Sequence, residues 1–431
     1  MTDRTQAGDA RLPARLLLLS IAYLGFISLG LPDPVAGVAW PSVRAAFALE
    51  QSRFGLIFLG LGVGYCASGF FGGKLTHVLG LGNLLWSSSA LVAVAMFASG
   101  GAPAWPVIVG AAVVWGLGSG GIDAGLNAYA ARHFSARHMN WLHACYSLGA
   151  MLGPLVMTAM VVRLGNWRLG YAAVGGALGL MAVLFLITRR GWSEPGAATA
   201  VAALDGPPDE PLDVPSQVPR SPVGIRGALA EPLVRLHVVL FFLYVGLEFT
   251  VGQWCFTLLT ESRGFEPEIA GLLAGAYYGA IGVGRIIAGI VSHRIGLDRL
   301  VRLAMLTALA GAALYAFAGP AAADGLRLGV AGLDVVGLMA VGLGLAPIFP
   351  CLMTRTPQRL GAAVSTHAVG FQVSAGMLGA ALVPGLAGLL AEQMGLETVA
   401  HFALLLAVLL AGTHEWVIYR AARPSIASIR P

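Results

Sequence analysis

Apolar runs of about twenty residues, divided by short polar breaks, dominate this chain. They fall at about 15–38, 54–72, 83–100, 105–131, 140–162, 168–189, 235–258, 269–291, 299–319, 328–352, 361–390 and 397–419. A helix needs roughly 20 predominantly apolar residues to cross the hydrocarbon of a bilayer. The pattern therefore predicts an all-α membrane protein with 12 transmembrane helices. The longest interruption, Gly191–Pro232, carries Pro195, Pro207, Pro208, Pro211, Pro215, Pro219, Pro222 and Pro232 among Ala, Asp and Ser. It has no apolar face to bury and reads as a flexible linker. The expected division is a six-helix half over 1–190, the linker over 191–232, and a second six-helix half over 233–431.

The two halves repeat each other. Gly73-Lys-Leu-Thr-His77-Val-Leu-Gly80-Leu follows the second span, and Gly289-Ile-Val-Ser-His293-Arg-Ile-Gly296-Leu follows the eighth, an offset of 216. Gly116-Leu-Gly118 in span 4 recurs as Gly342-Leu-Gly344 in span 10, an offset of 226. His143-Ala recurs as His367-Ala, and Met151-Leu-Gly153 as Met377-Leu-Gly379. Repeats in the same order at a near-constant offset predict two parallel, pseudo-symmetric bundles related about an axis along the membrane normal. Transporters built this way bind their solute at the repeat interface near the midplane.

Composition narrows the class further. Of 431 residues 57% are hydrophobic and only 11% charged, too few charges to cover a soluble surface of this size. The 59 glycines suit helices that pack closely in lipid. With the N-terminus inside, 19 basic residues fall in cytoplasmic segments and 6 in outer ones, with Arg285 left inside a span. This bias predicts that both termini and the linker are cytoplasmic, in a bacterial inner (plasma) membrane. It also accounts for the net charge of +5 without a nucleic-acid partner. Residues 1–13 are polar and the first apolar run is long enough to span, so no cleavable signal peptide is expected. Cys66, Cys145, Cys255 and Cys351 all lie in apolar runs, which suggests neither a disulfide framework nor a zinc site. No metal-ligand spacing, nucleophile elbow or phosphate loop is present, so neither an enzyme nor a cofactor is expected.

At this point the motifs resemble a family. The loop Gly-x-x-x-His-x-x-Gly is similar to the Gly-x-x-x-Asp-Arg-x-Gly-Arg loop of the major facilitator superfamily, with His77 and His293 in place of its Asp. Gly121-Ile-Asp123-Ala-Gly-Leu-Asn127, Met139-Asn-Trp-Leu-His143, Gly284-Arg285, Leu345-Ala-Pro-Ile-Phe-Pro350 and Gly370-Phe-Gln372 together resemble its fucose-permease-like branch. The resemblance implies the major facilitator fold and secondary transport by alternating access. Known members of the branch are mostly proton-coupled sugar symporters, and the acid of their fourth span is linked to proton coupling.

A charge in the bilayer centre costs about 2.5–3.5 kcal/mol or more, so each intramembrane ionisable group needs a reason. Asp123 has Asn127 one turn on, on the same helix face. By the internal repeat Asp123 corresponds to Phe349, so the second half keeps the backbone and drops the acid. A purely structural hydrogen bond or ion pair is the competing reading of Asp123. Asp33 sits in Leu31-Pro-Asp-Pro34, where two prolines remove backbone donors. Glu248 is its positional counterpart, 41 residues before Gly289 as Asp33 is 40 before Gly73. Asp123, Asp33 and Glu248 are the proton-coupling candidates. For Asp33 the alternative is solvation near the outer end of its span, and for Arg285 it is snorkelling or a structural ion pair.

Hydroxyl-rich solutes call for hydrogen-bonding groups and an apolar ring platform. Asn127, His143, Gln253, Trp254, Gln372 and His367 supply that chemistry and are the substrate-binding candidates. Trp254 read as an interfacial anchor, and the two histidines as inherited structural positions, are the alternatives. The expected function is import of a small polar solute such as a sugar together with protons, by a monomer whose partners are that solute, protons and the lipid bilayer. Efflux by proton antiport is the rival, because Gly149-Ala-Met-Leu-Gly153-Pro154 approaches an antiporter signature, although Met157 and Thr158 replace its last two glycines. A receptor that keeps the fold without transport is disfavoured by the acids retained on both halves.

Overall fold

The computed structural model describes residues 11–134, 136–193, 225–319 and 327–422. Among them every regular element is helical, and twelve helical segments are long and apolar enough to cross a membrane. The first span comprises α1 (Arg11–Gly30) and α2 (Val35–Phe47). It is followed by a short turn at Gln51–Phe54, α3 (Gly55–Leu79), α4 (Leu81–Gly100), α5 (Trp105–His133), α6 (Ala136–Leu164) and α7 (Trp167–Thr188). After the short α8 (Ile225–Ala230) come α9 (Pro232–Thr257), α10 (Pro267–Ile295) and α11 (Leu297–Ala318). The tenth span is again broken, into α12 (Arg327–Leu345) and α13 (Ile348–Leu360), and α14 (Ala362–Met394) and α15 (Thr398–Ala421) complete the chain.

The breaks follow from proline chemistry. Pro32 and Pro34 have no N–H to give to the carbonyls a turn earlier, so the helix ends at Gly30 and restarts at Val35. The restarted segment then runs 13 residues to Phe47. Asp33 consequently lies inside a 32-residue span, well short of either end. His77 and His293 move from expected loops into the last turns of α3 and α10. Each helix stops at the motif glycine that follows, Gly80 and Gly296, at φ 75° and 76°. A left-handed backbone favours glycine, so the repeated loop motif is a repeated helix stop. Most of the expected linker, residues 194–224, lies outside the described residues. Its described ends are ordered: Gly191–Ser193 forms a turn whose Trp192 packs on Tyr129 and Phe185, and Ile225–Ala230 is helical.

The described residues form two compact units, those of 11–49 with 59–193, and those of 50–58 with 225–422. The small segment 50–58 therefore belongs to the second unit. There Phe54 meets the Trp254 ring edge-on at 5.1 Å, and the Ser52 amide donates to Glu392 at 3.0 Å.

Each unit is held by helix crossings that only small residues permit, and the crossings repeat. A methyl added at Gly118 would sit 3.1 Å from the Val92 nitrogen, and one added at Gly344 would sit 2.8 Å from the Ala308 Cα. Val92 and Ala308 differ by the same 216 positions as the loop motifs. Likewise Gly116 presses on the backbone of Leu61 and Tyr65, and Gly342 on Tyr277. Outward faces carry Phe70, Leu180, Ile187, Ile290 and Phe317, which are exposed as lipid-facing residues are.

One charged group has a purely structural setting. The helix of the seventh span ends in a π turn, Leu258–Ser262, which brings Arg263 to Asp334 and Glu397. The Arg263 and Asp334 side chains are each 1% exposed, and a second guanidinium nitrogen meets Glu397 at 2.7 Å over the Tyr315 ring. Removing one member leaves buried charge uncompensated. Arg263→Ala is expected to destabilise the protein by about 3–5 kcal/mol. Its thermal unfolding midpoint in detergent should fall, and Arg263→Met with Asp334→Leu should restore part of the loss.

Candidate functional site

In the first unit the glycine crossing between α3 and α5 creates the site. Gly60 and Gly64 on α3 pack on Val109, Val113 and Leu117 of α5, and Gly116 and Gly120 on α5 pack on Leu61, Tyr65 and Ser68 of α3: a methyl at Gly64 would lie 2.7 Å from the Leu117 nitrogen, and one at Gly116 2.8 Å from the Tyr65 nitrogen. With the backbones this close, the Tyr65 hydroxyl reaches across and donates to Asp123 Oδ2. Asn127, one turn along α5, donates its amide to Asp123 Oδ1 at 2.7 Å. Both partners of Asp123 are neutral. The carboxylate is half-buried inside the fourth span, and no cation pairs with it among the described ion pairs.

Asp33 belongs to the same neighbourhood. It sits at the break between α1 and α2, where Tyr146 of α6 donates to Oδ2 at 2.6 Å. α6 comes close because Gly149 and Gly153 carry no side chain: methyls there would lie 3.0 Å from the Leu31 nitrogen and 3.3 Å from Val35 Cγ2. These two glycines, the core of the antiporter-like signature, are thus used to seat α6 on the break. Each of the two acids thus accepts from a phenol of a neighbouring helix. The first unit therefore brings together two acids, two phenols and an amide.

The second unit groups different chemistry around Glu248 on α9. Tyr244 donates to its carboxylate, Tyr277 donates to its backbone carbonyl at 3.0 Å, and Arg285 of α10 stands 4.0 Å away. The Phe349 ring, which the internal repeat aligns with Asp123, lies 6.2 Å from the Tyr244 ring.

The expected ligand residues divide. Trp254 is fully enclosed, with its Nε1 donating to the Pro384 carbonyl at 2.9 Å and its ring against Phe54, so it packs the second unit and offers no face as a platform. Gln253 beside it is also fully buried. Gln372 is buried and donates to Thr356 Oγ1 at 2.8 Å, tying α14 to α13. His367 is half-buried on α14, five residues before Gln372. His143 is exposed on α6, and its ring meets Phe26 edge-on at 5.5 Å. Of the six, Asn127 alone is joined directly to a coupling candidate by a described hydrogen bond.

Tyr65 and Tyr146 were not among the expected site residues. The pattern Gly60-x-x-x-Gly64-Tyr65 is a sequence signal that could have found Tyr65, because it puts a phenol beside a close crossing. Tyr146 carries no such signal.

Residues 16–384 match the sequence pattern of the Major Facilitator Superfamily. The 3-(3-hydroxy-phenyl)propionate transporter of Escherichia coli (strain K12) is 26% identical over 397 residues, covering 90% of this chain and 89% of that protein. Among solved structures, the nucleoside transporter NupG superposes with a TM-score of 0.72 at 12% identity over 94% of this chain and 99% of the other. A D-xylose-proton symporter superposes with a TM-score of 0.70 at 15% identity over 93% and 97%. The chain belongs to the Major Facilitator Superfamily, and it is a multi-pass membrane transporter.

If the two acid–phenol pairs work as one cluster, their losses will not add. Tyr65→Phe and Tyr146→Phe should each slow transport while leaving membrane expression intact. Their double variant should fall short of the product of the single effects, which initial-rate measurements on a double-mutant cycle read directly.

Proposed function

We propose that this member of the Major Facilitator Superfamily imports a small polar solute, a sugar or sugar-like compound, together with protons by alternating access. Asp123 is the principal coupling acid in this reading, and Asp33 its partner.

One observation carries the reading: Asp123 is held by Tyr65 and Asn127, both neutral. An acid kept inside a membrane protein for stability is best served by a cation, as Asp334 is by Arg263. Protonating such an acid strands the cation. Protonating Asp123 strands nothing, because a phenol and an amide can re-orient to a neutral carboxyl as well as to a charged one. The group can therefore gain and lose a proton at small cost, which a coupling site requires. The solved structures of similar fold include a D-xylose-proton symporter, and the resemblance to the fucose-permease-like branch points the same way. Asn127 contributes to the solute site through its position beside the acid. The orientation that goes with this function puts both termini and residues 191–232 in the cytoplasm of a bacterial cell, with the protein acting as a monomer in the inner membrane.

Asp123→Asn keeps size and hydrogen bonding while fixing the neutral state. In proteoliposomes it should abolish uphill accumulation driven by a pH gradient yet retain solute binding and exchange. Asn127→Ala should weaken solute binding while proton loading continues. Full uphill accumulation by Asp123→Asn would remove Asp123 from the coupling role. Loss of folding, binding and exchange together would make it structural. Orientation has its own check: a cysteine placed at Ser216 should resist an impermeant thiol reagent in intact cells and react once the membrane is opened.

A further inference from the structure

Along α5 polar side chains recur at every turn: Trp115, Ser119, Asp123 and Asn127 follow one another at intervals of four. The internal repeat indicates that packing does not need them. At the offset of 226 the second half keeps Gly116 and Gly118 as Gly342 and Gly344. It nevertheless has Val341, Leu345, Phe349 and Met353 at the four polar positions. Val341 and Leu345 are buried as Trp115 and Ser119 are, so apolar side chains fill equivalent places. Asp123 and Asn127 hold each other. The other two differ: Trp115 Nε1 and Ser119 Oγ are enclosed and have no hydrogen-bond partner among the described residues. A buried polar group left unpaired is costlier than an apolar one in its place. Both positions therefore suit a partner that the helix does not itself supply.

Helix register places them beside the broken first span. Leu126, seven residues beyond Ser119 and so on the same helix face, meets α1: a methyl at Gly25 would lie 2.9 Å from Leu126 Cδ1. Successive spans alternate in direction, so the fourth runs antiparallel to the first. Seven residues back from Leu126 on α5 is then level with seven residues on from Gly25, at Pro32. Ser119 thus comes level with the break, and Trp115, a turn further, with the first turn of α2. At the break the Ser28 and Gly30 carbonyls lose their helix donors, because the residues four on are Pro32 and Pro34. Donors on α5 and acceptors on the first span meet at one level, next to both acids of the unit. Interrupted spans serve transporters as solute sites because their freed backbone groups can bind cargo.

We propose that Trp115 and Ser119, with the freed carbonyls of Ser28 and Gly30, form a hydroxyl-binding subsite at the break of the first span. It takes a neutral polyhydroxy solute. It rests on the preceding reading of a sugar-like cargo and deepens it by naming groups that hold the cargo. The indole N–H only donates, the carbonyls only accept, and the serine hydroxyl does both. Each hydroxyl of a sugar also donates and accepts, so neighbouring hydroxyls on one ring satisfy all three kinds of group. An ionised carboxylate has no proton for the carbonyls, and an ammonium has no lone pair for the indole. Asp123 follows Ser119 by one turn, about 6 Å along the helix axis. A ring held at the subsite therefore lies within reach of the coupling acid.

The test uses the full-length protein in proteoliposomes with D-glucose, D-xylose and L-fucose as probes and protein-free vesicles as background. Ser119→Ala and Trp115→Phe each remove the donor and keep an apolar body. Each should raise the KM for exchange of a carried sugar at least about threefold, with kcat nearly unchanged. Ser89→Ala removes an equally enclosed and unpartnered hydroxyl, on α4 away from this strip, and should leave KM as it is. Wild-type KM in both Ser119→Ala and Trp115→Phe overturns the inference and leaves sugar import standing. An equal rise in Ser89→Ala overturns it too, because the effect is then one of packing. A second readout needs no transport. With Cys66, Cys145, Cys255 and Cys351 replaced by Ala, Ser119→Cys should react with a small water-borne thiol reagent, and a carried sugar should slow that reaction. A Ser119→Cys protein that never reacts overturns the inference, since the position then never opens to cargo. Reaction in a protein that carries none of the three sugars would sink the sugar reading and uphold an opening subsite at the break.

Discussion

The close contact of helix backbones at glycine is the constraint on which the rest depends. Between helices in lipid the hydrophobic effect supplies no driving force, so packing distance decides what side chains can reach. Gly64 and Gly116 let α3 and α5 approach until Tyr65 spans the gap to Asp123. Gly149 and Gly153 do the same for α6, which delivers Tyr146 to Asp33. A single methyl at these crossings would push the phenols away from the acids. Scaffold and site are therefore the same set of residues seen at two distances from the carboxylate.

The charges in the spans and at their ends fall into two kinds, and the partner distinguishes them. Arg263, Asp334 and Glu397 neutralise each other within a closed pocket, with the aromatic face of Tyr315 as a fourth side. Asp123 and Asp33 hold hydrogen bonds from uncharged groups. Arg285 and Glu248 stand between these cases, opposite in sign and 4.0 Å apart. The first kind fixes geometry because changing any member's charge is costly. The second tolerates a change of charge without a change of partner.

Much of this was legible in the sequence because lipid makes the code simple. Twelve apolar runs and the glycine pairs at offsets of 216 and 226 each have one strong physical reading, whereas the lone acid among glycines, Asp123, had two. The offsets proved more literal than a motif comparison suggests, since Gly118 on Val92 and Gly344 on Ala308 are the same crossing made twice. What the sequence hid were pairings across helices. Arg263 reads as one more basic residue between spans, and nothing in the chain says that a π turn will fold it back onto Asp334. Trp254 reads as a platform or an interfacial anchor, and it is neither, because it packs the second unit. Only its contact with Phe54, some two hundred residues earlier, decides. Asp33 was recognised as special from its prolines, but the length of helix beyond it was not, because the apolar run reads as ending at about residue 38.

The break at Asp33 has a mechanical consequence. A continuous helix resists bending because each turn is bonded to the next, and flexing it strains several of those bonds at once. Between Gly30 and Val35 two links are missing from the outset, since Pro32 and Pro34 bring no N–H, so the first span behaves as two rigid rods meeting at a pivot. A rotation there strains no helix hydrogen bond from Pro32 or Pro34, but it must move against α6 at Gly149 and Gly153. The carboxylate of Asp33 sits on the pivot itself, so tilting one rod re-aims the acid while hardly displacing it. The same two prolines that make the joint soft also keep it from closing into a straight helix.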